Sequence, residues 1–310
     1  MLAYALRRIV VSVPLLVGVS LLVFLILRLI PGDPAQILLF GANPTPDMVA
    51  ELRHQLGLDQ SAPAQYWLYA QRLVRGDLGY SYVTNSPVMS EIAARLPYTI
   101  ELALAALGVA LVLGFVTGIL AGMWPGSVID RIATVVSVLG LAVPYFWLAQ
   151  LLVLIFAVRL GWLPALGLGG PTAIVLPALS LGLGFAAIIT RLLRSSLIEV
   201  YQQPYLLVAR AKGMAPSRLL VRHALRNAVG SVVTVIGLQI GNLFAGAVAI
   251  EIIFGRPGLG QYLVSSIQQK DIPAIQGVVL FVAVVYIGVN LLVDLAHGVL
   301  DPRVRLGWSR

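Results

Sequence analysis

The sequence contains no cysteine and few charged residues, and both absences restrict what the chain can be. Without cysteine there are no disulfides, no thiolate metal sites and no cysteine nucleophile. Charged residues make up 11% of the chain, whereas a soluble domain carries roughly 25%. Because 59% of the residues are hydrophobic, the polar side chains cannot cover a surface that faces water. The sequence therefore predicts an integral membrane protein.

The charges that are present are mostly positive. The net charge is +8, and 19 of the 21 basic residues are arginine. A basic chain can bind nucleic acid, but these charges lie between long apolar runs, which is typical of membrane topology. We therefore predict contact with membrane lipid and no nucleic-acid partner.

Six apolar segments are each close to the roughly 20 residues that a helix needs to cross a hydrocarbon core. They lie at residues 9–27, 99–123, 132–157, 174–190, 232–250 and 274–293. The first is longer than the core of a signal peptide, and no Ala-x-Ala cleavage site follows it. The pattern predicts an all-α integral membrane protein with six transmembrane helices, the first of them retained.

The basic residues divide unevenly between the two sides of these spans, which predicts the orientation. Thirteen fall on one side: Arg7, Arg8, Arg131, Arg191, Arg194, Arg210, Lys212, Arg218, Arg222, Arg226, Arg303, Arg305 and Arg310. The short loops of the other side carry three: Arg159, Arg256 and Lys270. Both termini are therefore predicted to be cytoplasmic, which requires an even number of spans.

Residues 31–97 form an extracellular or periplasmic region in this topology, and its punctuation predicts helices. Thr45-Pro46-Asp47 is typical of a helix start, and Gly57 ends that helix. A second amphipathic helix is predicted over residues 63–75, and a third begins at Ser86-Pro87. Two interpretations stay open: a helical cap on the outer face, or a docking surface for a protein that delivers substrate.

The cytoplasmic loop at residues 191–228 is much longer than a plain connection between two spans. Pro204 predicts the start of a short helix that Gly213 ends, and Pro216 starts a second helix to Arg226. Leu206, Ala209 and Gly213 share one side at helical spacing, so that a partner protein could approach closely. The alternative is a helix resting on lipid headgroups.

Two other classes of membrane protein fit the sequence poorly. Ion-coupled secondary transporters place ionisable groups at mid-membrane, but Glu101, Asp294 and His297 all lie near span ends. An intramembrane enzyme needs paired catalytic side chains at membrane depth, and neither His54 nor His223 has such a partner. Weak candidates for lining a pathway are the polar or aromatic residues of the spans: Tyr145, Gln150, Gln239, Asn242 and Asn290.

The cytoplasmic loop also carries a family resemblance. Tyr205-x-x-x-Ala209-Arg210-Ala211-Lys212-Gly213, with His223-Ala224-Leu225-Arg226-Asn227-Ala228, resembles the coupling loop of binding-protein-dependent ABC importer permeases, in the dipeptide, oligopeptide and nickel branch. The general pattern has Glu and Ala where this chain has Leu207 and Val208, and Pro where it has Arg226. Further similar stretches are Pro31-Gly32-Asp33-Pro34, Leu56-Gly57-Leu58-Asp59-Gln60, Gly76-Asp77-Leu78-Gly79, Pro257-Gly258-Leu259-Gly260 and Leu300-Asp301-Pro302-Arg303.

The resemblance implies a type I ABC importer fold in three parts. These are a tail and first span at residues 1–30, an extracellular helical insertion at 31–97, and a five-helix permease core at 98–310 with its coupling loop at 191–228. The residues implied to couple the chain to an ATPase are Tyr205, Ala209, Arg210, Ala211, Lys212, Gly213, Arg218, Arg222 and Leu225.

The resemblance also implies the partners and the location. They are a second permease subunit, two cytoplasmic ATPases and an extracellular solute-binding protein, in a prokaryotic plasma membrane. No Gly-Lys-Ser/Thr motif occurs, so ATP and Mg²⁺ would be bound by the partners, and the chain itself would have no cofactor and no catalytic or metal site. Di- and oligopeptides are the implied cargo, with nickel or a metal chelate as the alternative.

Overall fold

The computed structural model describes residues 2–29, 35–36, 39, 45–55 and 57–300, and its secondary structure is helical. The helices in chain order are α1 (Leu2–Arg28), α2 (Pro46–Gln55), α3 (Ala62–Val74), α4 (Val88–Met123), α5 (Val128–Ala142), α6 (Tyr145–Leu152, continued by a π-helical stretch Val153–Arg159), α7 (Val175–Tyr201), α8 (Pro204–Ala211), α9 (Pro216–Leu219, continued by a π-helical stretch Leu220–Ala224), α10 (Leu225–Ile253), α11 (Leu259–Gln268) and α12 (Ile272–Leu300). Within the described residues the β-pairing is one isolated bridge, Tyr80 to Pro87. The Pro31-Gly32-Asp33-Pro34 motif, Leu56 and residues 301–303 lie outside the described part.

Among the described residues, four helical stretches are long and apolar enough to cross a membrane. They are Val10–Arg28 of α1, all of α4, all of α7 and Ile272–Val293 of α12. The pair α5 and α6 adds a fifth if it crosses as one span. The predicted span at residues 232–250 lies within α10, whose apolar stretch among the described residues is the shorter Gly241–Ile253. Length and composition thus support four or five spans, so the predicted count of six stays a prediction.

The prediction of one continuous helix over residues 132–157 is wrong. The chain bends by 106° between α5 and α6. Val143 is extended, with φ −83° and ψ 121°, and Pro144 follows it. A proline disfavours helical backbone at the preceding residue and has no N–H to donate, so these two residues end α5 and start α6 in a new direction.

Two other boundaries differ from the predictions because helices run past the ends of the apolar runs. The predicted third outer helix is not separate: α4 begins at Val88 and continues through Pro97 to Met123. Similarly, α7 extends to Tyr201, and the helix that starts at Pro216 continues into α10. The connection predicted over residues 191–228 is therefore mostly helical. The predicted helices at 45–57 and 63–75 are confirmed by α2 and α3.

The contacts divide the chain into two compact units, the first formed by residues 1–97 and 258–310. In this unit α1 packs on α12 through Val23, Leu27 and Ile275. The helix α3 joins α1 through Tyr66, whose hydroxyl lies 2.9 Å from Ser20 Oγ. The buried carboxylate of Asp271, just before α12, accepts hydrogen bonds from Ser81 Oγ at 2.5 Å and the Tyr82 N–H at 3.0 Å. These contacts hold α3 and the segment around residues 81–82 against α1 and the start of α12.

The second unit, residues 98–257, is built around α7, which packs against α10, α5 and α6. Its contact with α4 depends on glycines spaced four residues apart. A Cβ at Gly114, Gly118 or Gly122 would lie 2.7–3.0 Å from the Cβ atoms that α7 presents at Ile189, Leu193 and Leu197. Gly182 of α7 also lies close to α4, since a Cβ there would lie 2.6 Å from the Ala106 carbonyl oxygen. Such small residues let two membrane helices pack backbone to backbone.

We expect Gly118→Val to destabilise the protein, because the new side chain must push α4 away from Leu193. Overpacking of this kind costs about 1–3 kcal/mol. The matched control is Gly108→Val on the same helix, where an added Cβ meets no atom within 4 Å. The measurement is the fraction of monodisperse protein after heating in detergent. Equal melting temperatures for the two variants would contradict the packing.

Candidate coupling surface

The short helix α8 is defined by its two ends, as the sequence predicts. Pro204 occupies its first position, after an extended Gln203. At the other end the Gly213 N–H donates to the Arg210 carbonyl at 3.0 Å, and the Met214 N–H donates to the Ala209 carbonyl at 3.3 Å. Gly213 has φ +79°. These two bonds around a left-handed glycine form a Schellman motif, which ends the helix and reverses the chain.

One face of α8 is turned towards the chain's own helices. Leu206 is 2% exposed and belongs to a core cluster with Leu193 and Leu197 of α7 and with Leu219 of α9. Ala209 is partly buried against the same cluster. For Leu206 the prediction of a close approach by a partner protein is therefore wrong. Leu206 and Ala209 embed α8 between the ends of two long helices, whereas Gly213, the third residue of that side, is exposed.

The opposite face of α8 is open and apolar. Tyr205, Leu207 and Val208 are 45%, 55% and 54% exposed. Val221, in the π-helical stretch after α9, is 66% exposed. Ala211, Lys212 and Gly213 are exposed at the end of the helix. Exposed apolar side chains that are clustered and bordered by charge mark a surface that contacts another molecule. Leu207 and Val208, where the family pattern has Glu and Ala, thus lie at the centre of this open face.

Polar contacts fix the orientation of α8. The Asn227 side-chain amide donates to the Tyr205 hydroxyl at 2.9 Å and to the His223 carbonyl at 2.9 Å. The Arg210 guanidinium lies 6.0 Å from the centre of the Tyr201 ring. Of the predicted coupling residues, those exposed are Tyr205, Arg210, Ala211, Lys212, Gly213, Arg218 and Arg222, whereas Ala209 and Leu225 pack against the core.

An ion pair that the sequence analysis did not identify joins α5 to α7. Asp130 is 3% exposed. Its Oδ1 accepts from Arg194 Nε, and its Oδ2 accepts from Arg194 Nη2 at 2.9 Å and from the Gly126 N–H at 2.8 Å. Ser127 caps α5 by accepting the Asp130 N–H at 3.2 Å. The available sequence signal was an acid three residues after a capping serine, but its partner is 64 positions away.

A second buried network lies at the other end of this unit. Arg256 is 3% exposed, and its guanidinium donates to the Gly167 carbonyl and to Glu101 Oε2, each at 2.6 Å. The nearby Glu251 is fully buried and accepts from Thr99 Oγ1 at 2.6 Å. The sequence alone indicates only that Glu101 is a charged residue near a span end. Its partner is 155 residues away, so no local pattern could reveal the pair.

The predicted pathway residues lie on α6, α10 and α12. Asn242 donates to Gln239 Oε1 at 2.5 Å along α10. Asn290 donates to the Tyr286 carbonyl of its own helix at 3.0 Å. Tyr145 is 39% exposed and meets Phe146 edge-on, and Gln150 is exposed. Their role stays a prediction. Within the described residues no three His, Asp or Glu side chains are grouped as a metal site would require.

Comparison with known families matches almost the whole chain. A family model described as "Binding-protein-dependent transport system inner membrane component" matches residues 114–306. A second, described as the N-terminal part of a binding-protein-dependent transport system membrane component, matches residues 1–103. The two matches together include both units.

Two named proteins with similar sequences and two solved structures with similar folds belong to transport systems of the same kind. The glutathione transport system permease protein GsiC of Escherichia coli is 39% identical over 98% of this chain and 99% of its own length. The dipeptide transport system permease protein DppB of Alkalihalophilus pseudofirmus is 38% identical over 98% of this chain and its full length. A solved chain of the MetNI methionine ABC transporter in inward-facing conformations has a TM-score of 0.54 at 21% identity, covering 68% of this chain and 94% of its own. A histidine-bound amino acid ABC transporter has a TM-score of 0.52 at 16% identity, covering 69% and 94%.

Proposed function

Because this chain belongs to the family of binding-protein-dependent transport system inner membrane components, we propose that it forms half of the translocation pathway of an ATP-driven importer of di- and oligopeptides. It is a non-catalytic permease subunit and a multi-pass inner membrane protein. The cargo proposal is supported by the two relatives at 38–39% identity, which are named for dipeptide and glutathione transport. Glutathione is itself a small peptide, so both names point to the same class of cargo.

The observation that carries the mechanism is the position of α8. Its open face, with Leu207 and Val208, is the surface that an ATPase subunit would hold. Its inward face is embedded through Leu206 against α7 and the start of α10. A displacement of α8 by ATPase closure would therefore move both long helices together. The Asp130–Arg194 ion pair would carry the movement of α7 to α5.

The remaining parts of the machine follow from the same family. They are a second homologous permease subunit, two cytoplasmic ATPases that bind ATP and Mg²⁺, and a solute-binding protein on the opposite side. In this arrangement α1, α4, the bent pair α5–α6, α7, α10 and α12 each cross the membrane once. The helices α2 and α3 then form an extracellular insertion, and both termini and α8 lie in the cytoplasm.

The absence of cysteine allows a direct test of this topology. Single cysteines introduced as Ser61→Cys, before α3, and Ser217→Cys, after α8, both replace exposed residues. We expect a membrane-impermeant maleimide to label Ser61→Cys in intact cells and Ser217→Cys only in inside-out vesicles. Labelling of both from the same side would contradict the proposed orientation.

Uptake by cells that lack the chain tests the cargo. We expect deletion to abolish the uptake of a labelled dipeptide, of glutathione or of both, and a plasmid copy to restore it. Radioactive nickel, free and chelated, is measured in parallel. Loss of nickel uptake with normal peptide uptake would overturn the peptide proposal while leaving the family assignment intact.

A further inference from the structure

A groove of about 510 Å³ lies between α8 and the ends of two long helices, α4 and α7. Its walls are the turn after α4, the end of α7 and the start of α9. The side chains that give it its chemistry are Trp124, Tyr201, Gln202, Arg210, Met214 and Leu219. We propose that this groove binds the headgroup of an anionic phospholipid, with Arg210 as the ligand of the phosphate.

The charge of the groove fits an anion. Arg210 lines it, and its guanidinium carbon lies 6.0 Å from the centre of the Tyr201 ring. Among the described residues no acidic side chain lines the groove. The planar N–H fork of a guanidinium suits the paired oxygens of a phosphodiester. The Gln202 amide adds a neutral donor on the same wall.

The position of the groove favours a lipid over a soluble anion. The apolar run of α4 ends at Met123, which lines the groove, and the adjacent Gly122 packs against Leu197 of α7. This part of the groove therefore lies where a hydrocarbon core gives way to headgroups. Trp124 and Tyr201 are the residue types that concentrate at this level. The apolar side chains of Ile198 and Leu219 also line the groove, where they would contact the upper acyl chain. A free phosphate would leave that apolar wall uncovered.

A bound headgroup would also help to hold α8 in place. A headgroup bound to Arg210 would bridge α8 to the turn between α4 and α5, which carries Trp124 and Pro125. Arg210 would then face lipid, while the ATPase surface would centre on Leu207 and Val208. The inference rests on the proposed function in one respect only: the proposed orientation makes the cytoplasmic leaflet the source of the lipid.

Photo-crosslinking to lipid in the assembled transporter tests the inference. The chain is co-purified with its partner subunits and reconstituted in two sets of phosphatidylcholine vesicles. One set contains diazirine-labelled phosphatidylglycerol and the other contains the same mole fraction of diazirine-labelled phosphatidylcholine, with the diazirine near the glycerol in both. Crosslinked peptides from residues 122–125 and 198–219 are then counted by mass spectrometry. We expect about fivefold more crosslinking to phosphatidylglycerol, which corresponds to one arginine–headgroup contact.

The matched variants are Arg210→Gln and Arg226→Gln. Arg226 is also an exposed arginine of this region but does not line the groove. We expect Arg210→Gln to remove the preference and Arg226→Gln to keep it. Equal crosslinking of both lipids, or equal loss in both variants, would overturn the lipid site. Crosslinking that occurs only after the ATPases are removed would also overturn it and identify the groove as a protein contact. Because the readout needs no transport, a failed peptide-uptake experiment would leave this result standing.

Discussion

Arg194→Ala is expected to lower the stability of the protein by about 1.5–3 kcal/mol, the usual contribution of hydrogen bonds to a charged group. Asp130 is 3% exposed and would keep the Gly126 N–H, the Thr134 side chain and its own helix end as stabilising partners. Because the Arg194 side chain is 30% exposed, water replaces part of the lost bonds, and the loss stays below that of a fully buried pair. The measurement is unfolding of the purified protein by titration with SDS.

Two further variants separate the ion pair from a general effect of charge. Arg191→Ala removes an exposed arginine from the same helix, and a surface change of this kind is expected to stay within about 0.5 kcal/mol. The double variant Asp130→Asn with Arg194→Gln removes both charges but keeps hydrogen-bonding groups, so it should be more stable than Arg194→Ala. If Arg194→Ala were as stable as the unaltered protein, the ion pair would contribute nothing to stability.

Local signals were sufficient to predict α8 from the sequence. Pro204 can start a helix because its missing N–H is not needed there, and Gly213 can end one because it adopts a left-handed backbone at little cost. Both effects depend on one residue and its neighbours, so a single sequence reveals them. The structure confirms both ends, with φ +79° at Gly213.

The lengths of α4 and α7 could not be predicted in the same way. An apolar run indicates where a helix lies in lipid, but a helix continues until its backbone is interrupted. Thus α7 passes Arg191 and Arg194 and ends at Tyr201, and α4 begins at Val88, well before its apolar run. At Pro144 the interruption was visible in the sequence, but a membrane helix can tolerate a proline. The sequence therefore shows where α5 can be interrupted but not that the chain turns by 106° there.

The orientation of each face of α8 depends on the same long-range packing. Helical spacing places Leu206 and Ala209 on one side but does not say what that side contacts. The buried partners of Leu206 come from α7 and α9. Likewise, Arg256 meets Glu101 across 155 positions of sequence. Sequence alone therefore predicted α8 and its ends but did not show that Leu206 packs inward, and the coupling role of its exposed residues stays a prediction.

The double variant Leu207→Asp with Val208→Asp is expected to abolish coupled transport while the chain remains folded. Both side chains are more than half exposed, so charge there does not enter the core. If an ATPase buries this face, each of the two side chains can contribute about 1.5–3 kcal/mol, and losing both would weaken attachment at least 100-fold. The measurement combines co-purification of the ATPases with cargo-stimulated ATP hydrolysis. Leu206→Asp is the matched control, because it places a charge in the core and should prevent folding instead. Normal attachment of the ATPases to the double variant would refute the assignment, since only the outward face of α8 is left open by the packing of Leu206.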